Sequence, residues 1–245
     1  VTQDAGGAGW WTEAFRRSYL DCYAHRDDAS AEREAAFVAN LLALAPGARL
    51  LDAGCGAGRH VRALSRRGAS AVGVDCSVDL LAAARAAGDA RYVAADVRSL
   101  PFKDAAFAHV VSLFTSFGYF DDAGDRAHVA EIRRVLRRGG TLVVDFLNPP
   151  RVTASLVPES TKTAGALEFR ERRFIRGGRV EKEVEVRDAS GATRRWTESV
   201  RLYDREQLTS LLAASGLRVT STHGDLAGGA WSETSERLVL AAVAA

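Results

Sequence analysis

The chain has 245 residues, 47% hydrophobic and 26% charged, which suits one or two compact domains with a substantial core. A formal net charge of only +2 gives no global attraction to nucleic acid, and no stretch approaches the ~20 apolar residues of a membrane span. Cys22, Cys55 and Cys76 stand far apart without metal-site spacing, and residues 1–9 lack a basic-then-apolar leader, so a reduced, cytoplasmic protein is expected.

The first element is aromatic. Trp10, Trp11, Phe15, Tyr19 and Tyr23 crowd one stretch, with Trp11, Phe15 and Tyr19 at i, i+4 spacing on a predicted helix. Such a face either packs on the core or forms a lid. From residue 48 to 147 strands and helices alternate, the signature of βαβ units and a parallel sheet. Strand 49–53 feeds a helix 58–67 that stops at Gly68. Ala71-Val72-Gly73-Val74 runs to Asp75, and Ser77 caps the next helix. Arg91 to Ala94 is a third strand, ending near Asp96, and Ala108 to Leu113 a fourth. A helix over about 123–138 carries Val129, Ile132, Val135 and Leu136 on its apolar face. Its arginines, Arg133-Arg134 and Arg137-Arg138, lie near the C-terminus, where the dipole favours cations. Thr141 to Phe146 is a fifth strand, ended by Asn148-Pro149-Pro150-Arg151.

The pattern then changes. Residues 166–203 read as three antiparallel strands with a Gly177-Gly178 hairpin turn. A helix over 205–215 follows, with Asp204 and Gln207 at capping-box spacing, and then strands 217–223 and 237–243. The expected division is an N-terminal helical cap or lid (1–47), an alternating α/β core (48–150), an antiparallel β insertion (151–203) and a segment completing the core sheet (204–245).

The most informative stretch is Leu50-Leu51-Asp52-Ala53-Gly54-Cys55-Gly56-Ala57-Gly58, an apolar strand ending in a carboxylate and glycines at alternate positions before a helix. Glycine there permits a tight turn and close approach of a ligand to the main chain. A dinucleotide fingerprint would need a third glycine at position 59, which is Arg59. Asp52, Asp75 and Asp96 end successive strands, on the edge where open α/β sheets bind ligands. These motifs resemble those of class I S-adenosylmethionine (SAM)-dependent methyltransferases of the small-molecule type.

The resemblance implies a Rossmann-like α/β fold: a mostly parallel seven-stranded sheet, helices on both faces, and a small antiparallel insertion after the fifth strand. It implies SAM as cofactor, with S-adenosylhomocysteine (SAH) as product. It places Asp52, Gly54, Gly56 and Gly58 at the cofactor's amino-acid end and Asp75 on the ribose hydroxyls. Asp96 and the Val97 backbone fall on the adenine amino group, with Cys76 packed on adenine and Leu113 and Phe114 near the methionine portion. Related enzymes close an N-terminal helix over the cofactor, which puts Tyr19 first and Tyr23 second among lid contacts.

The acceptor is less constrained. The segment from Ser112 to Phe120 is apolar and aromatic, a pocket wall for a small organic substrate with Tyr119 as a candidate. Asn-Pro-Pro also resembles a motif of nucleic-acid amino-methyltransferases, but theirs follows the fourth strand and ends in an aromatic. Of the histidines His25, His60, His109, His128 and His223, His223 ends a strand on the ligand side and is the best candidate for a general base. Trp231 is a further pocket candidate, and His60 is placed behind the cofactor. The expected activity is methyl transfer to N, O or C of a small molecule. The alternatives are a non-catalytic SAM-binding subunit, and an RNA methyltransferase using Arg170, Arg172, Arg173, Arg176 and Arg179. The insertion's alternating charges also allow it to pair protomers or roof the site.

Overall fold

The structure, a computed structural model, describes residues 9–23, 27–88 and 90–245. Residues 1–8 of the expected leader-free start, and His25, lie outside the described residues. In chain order the elements are α1 (Trp10–Ala14), α2 (Arg17–Cys22), α3 (Asp28–Leu41), β1 (Arg49–Ala53), α4 (Arg59–Arg66), β2 (Ser70–Asp75), α5 (Val78–Ala86), β3 (Arg91–Ala94) and β4 (Phe107–Ser112). There follow α6 (Asp122–Val135), β5 (Leu136–Leu147), α7 (Pro149–Ser155), β6 (Glu159–Ala164), β7 (Leu167–Arg176), β8 (Arg179–Arg187), β9 (Thr193–Arg201), α8 (Arg205–Ala214), β10 (Leu217–His223) and β11 (Arg237–Ala244).

Seven strands form one sheet in the order β10-β11-β5-β4-β1-β2-β3, and β6 to β9 form a separate antiparallel meander. Strands β1 to β5 run parallel to one another; β11 runs antiparallel between β5 and β10. The parallel strands read as apolar runs because helices cover both faces. Alternation sorts their side chains: Leu51 and Val110 join Ile132 of α6 and Leu208 of α8, whereas Leu50 and Val111 join Val38 of α3 and Leu64 of α4. Register sets Ala53 beside Val74 and Asp75 beside Ala94, so the carboxyl ends of β1, β2 and β3 share one edge.

Four expectations change. The aromatic N-terminal helix is two short helices, because Phe15 leaves helical geometry and its carbonyl accepts the Ser77 hydroxyl. Helix α6 ends at Val135; Leu136 turns extended, pairs with Phe107 and is buried, so Arg137 and Arg138 belong to the exposed start of β5. Pro149 and Pro150 end β5 and also open α7, since proline's missing N–H costs nothing in a first helical turn. The insertion has four strands instead of three; β6, Glu159–Ala164, has no large apolar residue to announce it.

Helices α1 and α2 pack on the small sheet. Ala14 and Cys22 share a buried cluster with Phe169, Val184, Val186 and Trp196. No helix among the described residues is long and apolar enough to cross a membrane.

Candidate active site

The turn after β1 is held by the neighbouring strand, the amides of Gly54 and Cys55 donating to the Val74 carbonyl at 2.8 and 2.9 Å. Gly54, Gly56 and Gly58 have φ of 83°, 53° and 72°, the left-handed region that favours glycine. Gly54 meets a second constraint, since a Cβ would stand 2.5 Å from the Ser116 Cβ. Gly56 faces open space, its nearest neighbour being Leu80 at 3.8 Å. Gly58 is turned toward Tyr92, whose hydroxyl a Cβ would strike at 2.3 Å and whose ring at 2.5 Å.

The three acids surround this turn. Asp75 accepts the Gly56 amide on one oxygen and the Ser77 amide on the other, both at 2.8 Å. Burial raises its pKa, and these amide bonds oppose the rise. Asp52 is buried, pushed up to about 7 by desolvation and then by the Asp75 charge. Its Oδ2 has no hydrogen-bond partner among the described residues. A buried carboxylate oxygen without a donor is costly unless a ligand supplies one. Asp96 is held below the ordinary carboxylate range, chiefly by the Arg98 side chain, which clasps both oxygens at 2.6–3.1 Å.

A cavity of about 270 Å³ opens over this edge. Asp52, Gly54, Gly56, Asp75, Cys76, Asp96 and Val97 line one side, and Leu113, Tyr19 and Tyr119 the other. Burial and the Asp75 and Asp96 charges push the Cys76 thiol up to about 12, so it is a small neutral wall group. Aromatic rings complete the far side: Trp11 meets Phe120 at 4.9 Å, Phe15 meets Tyr19 at 5.0 Å and Tyr119 at 5.6 Å, and Tyr23 meets Tyr19 at 4.5 Å.

Gly58 lies near the cavity but faces Tyr92. Two other expectations fail on geometry. His223 is at the far edge of the sheet, on β10, with Nε2 3.1 Å from Ser221 Oγ and its ring against Phe37, away from the cavity lining. Trp231 also lies outside the lining and packs on the core under the Arg205 guanidinium. His60, placed behind the cofactor from its helical position, instead lines the cavity, buried and stacked on Phe114. Its Nε2 is 2.7 Å from Glu34, and burial holds its pKa below the ordinary value. Pairing of α3 with α4 across residues distant in sequence left no local signal for this dyad.

The turn after β4 holds a second feature invisible in sequence. Phe114 and Thr115 adopt φ of 54° and 62°, strained for non-glycine residues. Fully buried Asp145 accepts the Phe114 amide at 2.8 Å and pairs with Arg237 at 2.7 Å; Arg237 also donates to Thr115 Oγ1 at 2.8 Å. This ion pair overdetermines the strained backbone and aims Phe114 into the cavity.

The open cradle at Gly56, the orphaned Asp52 oxygen and the acid at the end of each of three adjacent strands fit a ligand with an ammonium, a ribose diol and an adenine. The sheet order is that of the Rossmann-like methyltransferase fold. Residues 50–140 match a family described as a methyltransferase domain. The chain is similar to a demethylmenaquinone methyltransferase of Thermus thermophilus, 38% identical over 117 residues, covering 44% of this chain and 52% of that protein. It thus spans about half the length of the curated relatives it matches. Among solved structures, the CcbJ methyltransferase of Streptomyces caelestis superposes with a TM-score of 0.79 at 21% identity, over 96% of this chain and 98% of that one. An amino pentose methyltransferase from Micromonospora echinaspora, solved with SAM bound, superposes with a TM-score of 0.71 at 25% identity, over 94% and 97%.

Proposed function

We propose that the protein transfers the methyl group of SAM to an amine nitrogen of a small molecule, with an aminated sugar as the leading acceptor class. The observation that carries this reading is the partnerless oxygen of buried Asp52 on a cavity whose opposite wall is aromatic. SAM, when bound, supplies an electrophilic methyl carbon on a sulfonium. The chain binds and aligns: Asp52 accepts from the ammonium, Asp75 from the ribose hydroxyls, and Asp96 with the Val97 amide takes the adenine edge. Helices before residue 48 act as a lid, residues 48–150 hold the cofactor, 151–203 form the insertion and 204–245 complete the large sheet.

A neutral amine attacks with its lone pair; the N–C bond forms as the C–S bond breaks, its electron pair leaves on sulfur, and the ammonium product sheds a proton to solvent. No strong base is needed at the start, unlike for a hydroxyl. His60 is committed to Glu34 through Nε2, which supports an amine over a hydroxyl. Aromatic faces favour both the sulfonium and the cationic product, and their closure excludes water. The neighbour named for an amino pentose supports the acceptor class; the quinone-methylating relatives match over less than half of this chain.

The RNA reading finds little support. Arg170, Arg172, Arg173 and Arg176 each pair with a glutamate of the same sheet, and Arg179 turns inward. Methyl transfer from radiolabelled SAM to a panel of amino sugars and their hydroxyl counterparts tests the proposal. Label in the amines alone is expected. SAH binding with no transfer to any amine would favour the non-catalytic alternative, and label in the hydroxyl compounds would overturn the amine assignment.

A further inference from the structure

The small sheet has no evident task in the chemistry just described, and none of its described residues lines the cavity. It nevertheless grips the acceptor wall, and one side chain makes most of the contacts. Arg179 opens β8 directly after the Gly177-Gly178 turn, and its half-buried guanidinium reaches across to the loop between β4 and α6. Nη1 donates to the Phe120 carbonyl at 3.0 Å; Nη2 lies 3.1 Å from the carbonyls of both Gly118 and Tyr119. The same guanidinium is anchored on its own sheet, with Nε 2.8 Å from Ser199 Oγ and Nη2 3.0 Å from Ser199 O.

Three successive carbonyls turned toward one point repel each other, and a cation between them removes that cost. Only a planar fork with several N–H groups serves all three while keeping its own anchor; a lysine ammonium on a flexible stem does not. The loop has further anchors, one from the neighbouring strand β9 and one from α6. The Arg201 amide donates to Gly118 O at 2.8 Å, and the Phe120 amide to Asp125, whose second oxygen takes the Tyr203 hydroxyl at 3.0 Å. Tyr119 and Phe120, thus aimed, are the residues that meet Phe15 and Trp11 of the lid.

We infer that Arg179 is a positioning residue for acceptor recognition: the insertion shapes the acceptor wall without touching the acceptor, by clamping the backbone of residues 118–120. What that wall recognises rests on the methyl-transfer reading, and the experiment separates the two. Amide hydrogen exchange and calorimetric titration with SAH are compared for the wild type, Arg179→Met and Arg179→Lys. Amides of 116–122 are expected to exchange at least about tenfold faster in both variants, while 53–60 keep their protection and SAH affinity stays within about threefold. With an amine acceptor from the panel, its KM is expected to rise at least about tenfold while the KM for SAM stays within about threefold. Unchanged protection of 116–122, full recovery in the lysine variant, or loss of SAH affinity in step with loop protection each overturns the inference. Should Arg179→Met not fold, Arg179→Lys carries the same comparison. A wild type that binds no SAH sinks the methyltransferase reading alone, since the exchange result is read without ligand.

Discussion

On the proposed reading, Asp52 joins cofactor binding to a proton. Its carboxyl, pushed up to about 7 by burial, is substantially protonated in the free protein near neutrality. An ammonium at the orphaned oxygen favours the carboxylate, so binding expels the proton, and SAH affinity should rise between about pH 5 and about pH 8. At about pH 6.5 the calorimetric binding enthalpy is expected to vary with the ionisation heat of the buffer, and Asp52→Asn to abolish that dependence; a buffer-independent wild type would refute the assignment. A group with a raised folded pKa loses its stabilising contribution as pH rises, here from about 4 to about 7, so Asp52→Asn should raise Tm at about pH 8 while weakening SAH binding. His128 has the opposite sign. Buried, with no hydrogen-bond partner for either ring nitrogen among the described residues, it is pushed down to about 4, and the unfolded chain takes up the proton first. Stability is lost as pH falls from about 6.5 to about 4, by about 3 kcal/mol, and His128→Leu should remove that component from the acid denaturation curve.

At the scale of elements, the turn between β1 and α4 combines a left-handed backbone with side-chain crowding. Gly58→Ala must adopt φ near 72° and displace the Tyr92 ring, so a loss of about 2 kcal/mol or more is expected from denaturant midpoints. The capping box at Asp204 and Gln207 gives a milder case: Asp204→Ala should cost about 1 kcal/mol. Both features were legible beforehand because each is written in contiguous residues, as were the strand ends at Asp52, Asp75 and Asp96. What escaped depends on partners far along the chain. Leu136 extends because it pairs with Phe107, β6 is a strand because β7 lies beside it, and Phe15 breaks its helix where Ser77 takes its carbonyl. The same reason hid the Glu34–His60 dyad and promoted His223, whose place at a strand end said nothing of which strand stood at the edge of the sheet.

Across the whole molecule, helices α1 and α2 and the small sheet form one hydrophobic unit. Ala14 and Cys22 pack with Phe169 and Trp196, and Lys182 pairs with Glu198 at 2.8 Å beside the Tyr23 hydroxyl. Removing residues 1–23 should therefore loosen hydrogen exchange across 159–201 while the seven-stranded sheet keeps its protection. Equal loosening of both sheets would show that the unit does not exist. Saturation with SAH at about 100 times its Kd should stabilise the intact chain by about 2.7 kcal/mol, read as a rise in Tm.

The contact between Gly54 and Ser116 has a consequence for how this chain can change over evolutionary time. Ser116 fills the space that a side chain at 54 would need, and its hydroxyl is within 2.9 Å of the Gly54 carbonyl and 2.8 Å of the Leu113 carbonyl. Position 54 cannot gain a side chain while Ser116 stands there, and a larger residue at 116 would press on the glycine turn. Exchange of the aromatic rings downstream of 116 and in α1 and α2, by contrast, leaves this contact untouched.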